Sequence, residues 1–166
     1  MELRWKNFQS YHEILIDNWA SDKDKKSLCM EKKSWKETAD DIEDCLKYAT
    51  NGQFRNVVGY IENEPVVAVM FGTECSGKVL KIYNILVSPK HRSKGIAKQT
   101  IKTIASDQNV FRLNQTYSKL SVPVLSMWSN FGKSLMDMGL NNVEHHKGYV
   151  DLSVNLKTKK VNDFSK

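Results

Sequence analysis

Between residues 56 and 105 the hydrophobic period of the chain switches once, and the switch falls on a single turn. β-Branched residues cluster in 56–61, 66–73 and 79–87, separated by Glu62-Asn63-Glu64-Pro65 and Cys75-Ser76-Gly77-Lys78. Such runs with short polar breaks predict two consecutive hairpins. Past Pro89 and Gly95 the pattern becomes helical, with Ala97, Ile101, Ile104 and Ala105 on one face and Lys94, Lys98 and Lys102 on the other. Any fold for this chain has to hold a three-stranded antiparallel unit whose last strand runs directly into a helix.

The flanking segments fill in the remaining layers. Residues 3–8 predict a short first strand, and Tyr11, Ile14, Leu15 and Trp19 recur at helical spacing, predicting an amphipathic helix over residues 10–20. A charged loop follows. Ser34 then precedes Glu37 in the arrangement of a capping box, and Ile42, Leu46 and Ala49 continue an apolar stripe toward Tyr48, a second helix. After the third helix, residues 120–125 predict a strand in which Pro123 removes a ladder donor and implies an edge, bulge or splayed position. Trp128, Phe131, Leu135 and Met138 form a helical stripe stopped by Gly139. Residues 143–145 and 149–156, joined through Lys147-Gly148, predict a final hairpin with Val150, Leu152, Val154 and Leu156 on one face. Antiparallel hairpins with one strand-helix-strand crossover define the α/β or α+β layered class.

Length and composition narrow the function classes. The chain has 166 residues, no repeat and no linker-like segment, which predicts one domain over residues 3–156 with a frayed basic tail over 157–166. With 27% charged residues and no apolar run near the roughly 20 residues of a spanning helix, no membrane association is expected. The N-terminus lacks the apolar stretch of a secretory signal, which predicts a cytoplasmic protein. Cys29, Cys45 and Cys75 form no Cys-x-x-Cys pair and no ligand spacing with histidine, so reduced, partly buried thiols are expected and no metal. The net charge of +6 favours anionic ligands.

The junction of the central strand and the third helix is where chemistry is expected. Val87 ends an apolar strand, Pro89 stops it, and Arg92-Ser93-Lys94-Gly95-Ile96-Ala97 leads straight into a helix. A helix N-terminus presents free N–H groups and a partial positive charge, and Gly95 removes the side chain that would hold a phosphate at a distance. Arg92 and Lys94 add full charges. Neither a Gly-x-x-x-x-Gly-Lys-Ser/Thr loop nor a Gly-x-Gly-x-x-Gly pattern is present, which argues against a nucleotide P-loop and a dinucleotide fold.

Val87-x-Pro89-x-x-Arg92-x-x-Gly95-Ile96-Ala97 resembles the acyl-CoA pyrophosphate signature of the GNAT acyltransferase superfamily, and Met138-Gly139-Leu140 sits where that family commonly leaves its last long helix. The resemblance implies a mixed, mostly antiparallel central sheet with about four helices packed on its faces. It also implies an N-acyltransferase that uses acetyl-CoA or another acyl-CoA as cosubstrate. Backbone groups near Ile85, Leu86 and Val87 would then serve the pantetheine arm, and N–H groups across Arg92, Ser93, Lys94, Gly95, Ile96 and Ala97 the pyrophosphate. Lys94 and Lys98 are candidates for the adenosine phosphate, and Asn130 for a CoA contact.

Acyl transfer to an amine needs a neutral nucleophile, an oxyanion site and a proton for the leaving thiolate. A backbone N–H of Leu86 or Val87 is the candidate oxyanion donor. The chain departs from the family in its proton-transfer residues: the position of the usual strand Glu holds Tyr83 beside Asn84, and that of the usual helix Tyr holds Leu135. Tyr83 and Asn84 are therefore the candidates for ordering a water, Glu74 is the nearest carboxylate, and Ser129 or Ser134 the candidate acid. His91 is expected to pack in the phosphate turn. His145 and His146 are expected to border the acceptor, with Trp19, Trp35, Tyr48, Glu144 and Tyr149 as its walls and Asp40, Asp41, Glu43 and Asp44 as a cluster suited to a polyamine. The acceptor is an amine, on a small molecule or a protein. The alternatives are action on or binding to nucleic acid, such as an aminoacyl-tRNA, and a catalytically silent acyl-CoA sensor; a homodimer is compatible with each.

Overall fold

The computed structural model describes residues 2–28, 33–50, 53–74, 78–106 and 117–156. Strand β1 (Arg4–Asn7) leads through a 3-10 turn into α1 (Glu13–Trp19), α2 (Asp22–Ser27) and α3 (Trp35–Cys45). β2 (Phe54–Ile61), β3 (Glu64–Glu74) and β4 (Val79–Val87) pair in succession, antiparallel. α4 (Ile96–Ser106) crosses over to β5 (Lys119–Val124), which lies parallel to β4. α5 (Asn130–Asp137) and the hairpin β6 (Asn142–His146) and β7 (Tyr149–Asn155) complete one seven-stranded sheet, ordered β1-β2-β3-β4-β5-β7-β6. The mixed, mostly antiparallel sheet is the one expected. The predicted tail, Cys29 and Cys75 lie outside the described residues.

Two apolar clusters sit on opposite faces of the sheet. One packs Phe71, Leu80, Ile82, Leu120, Val122, Leu152 and Val154 against Ile101, Ile104 and Leu135 of α4 and α5. The other packs Val58, Ala68, Met70 and Leu86 against Ile16, Trp19, Trp35 and Ala39 of the first helices. The apolar faces of α4 and the last hairpin are as predicted. The face of α1 is not: Tyr11, Ile14 and Leu15 are exposed, while His12, Ile16 and Trp19 are buried. The helical period reads equally well from 12, 16 and 19, and the sheet selects that face because His12 can bond there.

The charged segment expected as a loop contains α2. Ser21 Oγ accepts from the Asp24 N–H at 3.1 Å and Asp24 Oδ2 accepts from the Ser21 N–H at 3.0 Å, so reciprocal capping starts a helix where no apolar stripe marks one. Ser34 caps α3 as predicted, accepting from the Glu37 N–H at 3.1 Å. Glu64 and Pro65 belong to β3, so the hairpin turn shrinks to Glu62 and Asn63, with Glu62 at φ 55. Trp128 lies outside its helix and is 72% exposed; Cys45 is exposed too, against the expectation of a partly buried thiol. Gly139, at φ 108, ends α5 by the left-handed exit expected.

His12 is the one histidine sealed in the core, 1% exposed. Its Nδ1 accepts from the Gln9 N–H at 2.9 Å, so Nε2 carries the proton and donates to the Tyr60 hydroxyl. Burial, reinforced by Lys6, pushes its pKa below the usual 6.5. An unfolded chain thus takes up a proton near pH 6.5 that the folded chain refuses, and stability is lost as pH falls through that range. Urea midpoints are expected to drop between pH 7 and pH 5, and a His12→Gln variant to lose most of that slope.

Candidate active site

β4 and β5 pair only across Val79↔Lys119, Leu80↔Leu120 and Lys81↔Ser121. β5 then continues along β7, Pro123 opposite Asp151, so the two parallel strands diverge into a fork. Of the edge, bulge or splayed positions that its missing N–H allows, Pro123 takes the splayed one, past the last β4–β5 pair. On the other edge, β4 carries one extra residue: Met70 pairs with Asn84 and Phe71 with Ile82, leaving Tyr83 as a bulge. The bulge reverses the alternation. Leu80 and Ile82 face the α4 side, whereas past the bulge Leu86, the same parity along the strand, packs with Tyr83 toward the α1 and α3 side.

Strand geometry decides which backbone groups face the fork. The Ser88 N–H bonds the Val66 carbonyl at 2.8 Å, so by antiparallel alternation Leu86 and Asn84 also direct their backbone groups to β3. Ile85 and Val87 direct theirs to the open side. Of the two expected oxyanion donors, Val87 faces the fork and Leu86 does not.

The turn beyond β4 builds an anion cradle. Ser93 and Gly95 both take positive φ, 63 and 77, and no atom lies within 4 Å of where a Gly95 side chain would begin. The Gln99 N–H bonds the Gly95 carbonyl at 2.9 Å, the first bond of α4, so the N–H groups of Ile96, Ala97 and Lys98 have no partner within the helix. Lys94 and Lys98 stand exposed beside them. His91 packs within the turn, its Nδ1 2.7 Å from Ser88 Oγ.

Arg92 departs from the expected role of adding charge to the cradle. Its Nε donates to the Val87 carbonyl at 3.0 Å, and its NH2 group donates to the Trp19 carbonyl at 2.8 Å and lies 3.1 Å from Asp24 Oδ2. Burial opposes the Asp24 charge, but the Ser21 hydrogen bonds and Arg92 outweigh it and hold Asp24 below its usual pKa. Arg92 therefore ties the α1–α2 junction to the end of β4. Arg92→Met is expected to lower stability by about 1–2 kcal/mol, the scale of a partly exposed charged hydrogen-bond set. Urea denaturation checks this, with a smaller loss expected at acid pH, where Asp24 is protonated and only the bonds to the Val87 and Trp19 carbonyls remain to be lost.

Tyr83 and Asn84 are brought to the fork but are engaged. The Tyr83 hydroxyl donates to Glu74 Oε1 at 2.6 Å, and burial with that carboxylate pushes its pKa far above the usual tyrosine range. It is a neutral donor throughout the physiological range. Asn84 is 8% exposed and its Nδ2 lies 3.4 Å from the Leu28 carbonyl. Ser129 is the cap of α5, accepting from the Gly132 N–H at 3.0 Å and donating to the Ser126 carbonyl at 2.7 Å. Asn130 is exposed at the start of the same helix.

The proposed acceptor walls divide. Trp19 and Trp35 are core residues, Tyr48 is 82% exposed, and Asp40 and Asp41 pair with Lys36 and Lys33 on the wet face of α3. His146 stacks on Tyr149 with ring centroids 4.7 Å apart and lies near Glu144, whereas His145 is exposed. The sequence reading overlooked Lys81 and Asp151, which meet across the closed end of the fork at 3.7 Å. Each alternates with apolar residues in its strand, the pattern of a solvated face, and only strand pairing shows that the two faces coincide.

A seven-stranded sheet forked between its two parallel strands, with a basic cradle at the following helix, defines an acyltransferase architecture. The acetyltransferase (GNAT) family model matches residues 7–113, and the chain belongs to that family of acetyltransferases. Among solved structures it is similar to the GNAT domain of S. lividans PAT, with 18% identity over 93% of this chain and 90% of that one, at a TM-score of 0.65. Spermidine N-acetyltransferase from Vibrio cholerae, solved with CoA and spermine, shares 13% identity over 99% of this chain and 98% of that one, at 0.68. An N-acetyltransferase from Staphylococcus aureus shares 12% over 94% and 99%, at 0.64. At such identities the likeness is one of fold. No curated protein sequence matches the chain. Among the described residues no helix is long and apolar enough to cross a membrane, and no cluster of His, Cys, Asp or Glu is arranged to hold a metal.

Proposed function

We propose that the protein transfers an acetyl group, or another short acyl group, from acyl-CoA to an amine. The observation that carries this reading is the continuity of cradle and fork: N–H groups with no partner within the helix at the start of α4 follow directly on the stretch of β4 past Lys81 that β5 does not pair. The pyrophosphate rests on the N–H groups of Ile96, Ala97 and Lys98, with Lys94 and Lys98 supplying charge. The pantetheine arm adds to β4 like a strand, using the backbone of Ile85 and Val87. This brings the thioester toward the bulge at Tyr83. The Ile85 N–H, the fork-facing amide nearest the bulge, is the oxyanion donor in place of Val87, which stands nearer the cradle, and Tyr83, whose O–H is given to Glu74, accepts from a water beside it. Arg92 holds the end of β4 and the α1–α2 junction in register with the cradle.

The test is thiol release from acetyl-CoA in the presence of panels of small amines, peptides and aminoacylated RNA, with mass spectrometry of a treated cell extract to identify the acceptor. Amine-dependent release with acetylated product supports the reading. Acetyl-CoA binding without release in any panel would return the protein to a sensor, and release with aminoacylated RNA alone would move the acceptor to nucleic acid.

A further inference from the structure

Resting on that reading, we propose that the closed end of the fork is the acceptor-amine site and that Asp151 takes the proton from the attacking amine. Lys81↔Ser121 is the last pair of β4 with β5, and Asp151 lies opposite Pro123, just past it. Lys81 Nζ is 3.7 Å from Asp151 Oδ2, and His146 Nε2 is 3.3 Å from the same oxygen and 3.3 Å from Glu144 Oε1. Both nitrogens crowd toward Oδ2. Oδ1 is left without a hydrogen-bond partner, in a residue only 9% exposed, and His146 Nε2 is likewise unsatisfied. A buried carboxylate oxygen with no donor is rare in a folded protein, because it has given up water and received nothing in return. An N–H from a ligand supplies what is missing.

Two features place this vacancy where an acceptor would meet the thioester. The charge of Asp151 reaches Tyr83, so carboxylate and bulge share one neighbourhood. A hollow of about 620 Å³ lies on the same hairpin and is lined by Glu144 and Ser153, respectively the cross-strand partner of Asp151 and its next same-face neighbour on β7. That hollow is large enough for a small amine to enter from the hairpin while the thioester enters from the cradle.

The step balances on these groups. The nitrogen lone pair of the neutral amine attacks the thioester carbonyl carbon, forming C–N; the C–S bond breaks and its electron pair leaves on sulfur as the CoA thiolate. The N–H proton passes to Asp151 Oδ1 and then to solvent, which protonates the thiolate. Lys81 holds Asp151 by its ion pair to Oδ2.

The experiment compares wild type with Asp151→Asn and Asp151→Glu, using acetyl-CoA with putrescine, phenethylamine and a lysine-containing dipeptide. Asp151→Asn is expected to keep its calorimetric acetyl-CoA affinity, which also certifies its fold, while losing about 100-fold or more in kcat/KM, the scale of general-base removal. Asp151→Glu should restore part of the rate. An Asp151→Asn enzyme within threefold of wild type overturns the proposal and leaves the acetyltransferase reading standing. Failure of wild type to bind acetyl-CoA would instead sink that reading, and this site with it. A second measurement needs no turnover: the carboxyl carbon resonance of Asp151 is followed while wild type is titrated with putrescine. A saturable shift supports the site, and its absence overturns it.

Discussion

Reversing two lysines at the start of α4, Lys94→Glu with Lys98→Glu, is expected to weaken acetyl-CoA binding by roughly 100-fold at low ionic strength, as charge-assisted contacts to phosphate become repulsions. Both side chains are exposed beside the unpaired N–H groups of Ile96 and Ala97, so the double change should leave the fold intact. The effect should shrink as salt is raised, since exposed charges are screened over roughly 8 Å at physiological ionic strength. Calorimetry at two salt concentrations checks it. Equal affinity in the two proteins would mean that the pyrophosphate does not sit at this helix. Arg92 would not serve as well in this test, because its guanidinium is held by Val87, Trp19 and Asp24 and its loss disturbs three elements together.

The largest loss of stability is expected from Trp35→Ala, about 4 kcal/mol. Trp35 is fully buried, at 0% exposed, in the cluster between the first helices and the sheet. Its indole N–H donates to Asn56 Oδ1 at 2.8 Å and its backbone N–H donates to Asp17 Oδ1 at 2.8 Å, so one residue joins α3 to β2 and to α1. Truncation opens a cavity and also strands the Asn56 amide oxygen. Trp35→Phe keeps most of the apolar area and isolates the hydrogen bond, with a loss of roughly 1–2 kcal/mol expected. Urea denaturation of the two variants separates the terms. A loss below about 1 kcal/mol in Trp35→Ala would return Trp35 to the acceptor wall where the sequence reading had placed it.

The cradle was legible because its determinants are contiguous. Pro89, Gly95 and the small first turn of α4 are read directly along the chain, and φ 77 at Gly95 is the conformation that glycine permits. Strand runs and most helix stripes were legible for the same reason. Where a helix owes its start to two side chains, as Ser21 and Asp24 do for α2, periodicity carried no signal. Where two faces of one helix are equally apolar, as in α1, the choice between Ile14 and Ile16 fell to the sheet that receives them.

By itself, then, the sequence determined the strand runs, most of the helices and the turn from Pro89 to Ala97, because each depends on neighbours within a few residues. Tertiary structure alone decided where the charges went. It turned Arg92 away from the cradle to bind a helix end, bonded Tyr83 to Glu74, and set Lys81 against Asp151, 70 positions later in the chain, at the closed end of the fork. Such pairings follow from strand order and from a one-residue bulge that reverses which side chains share a face, and neither leaves a mark in the local pattern.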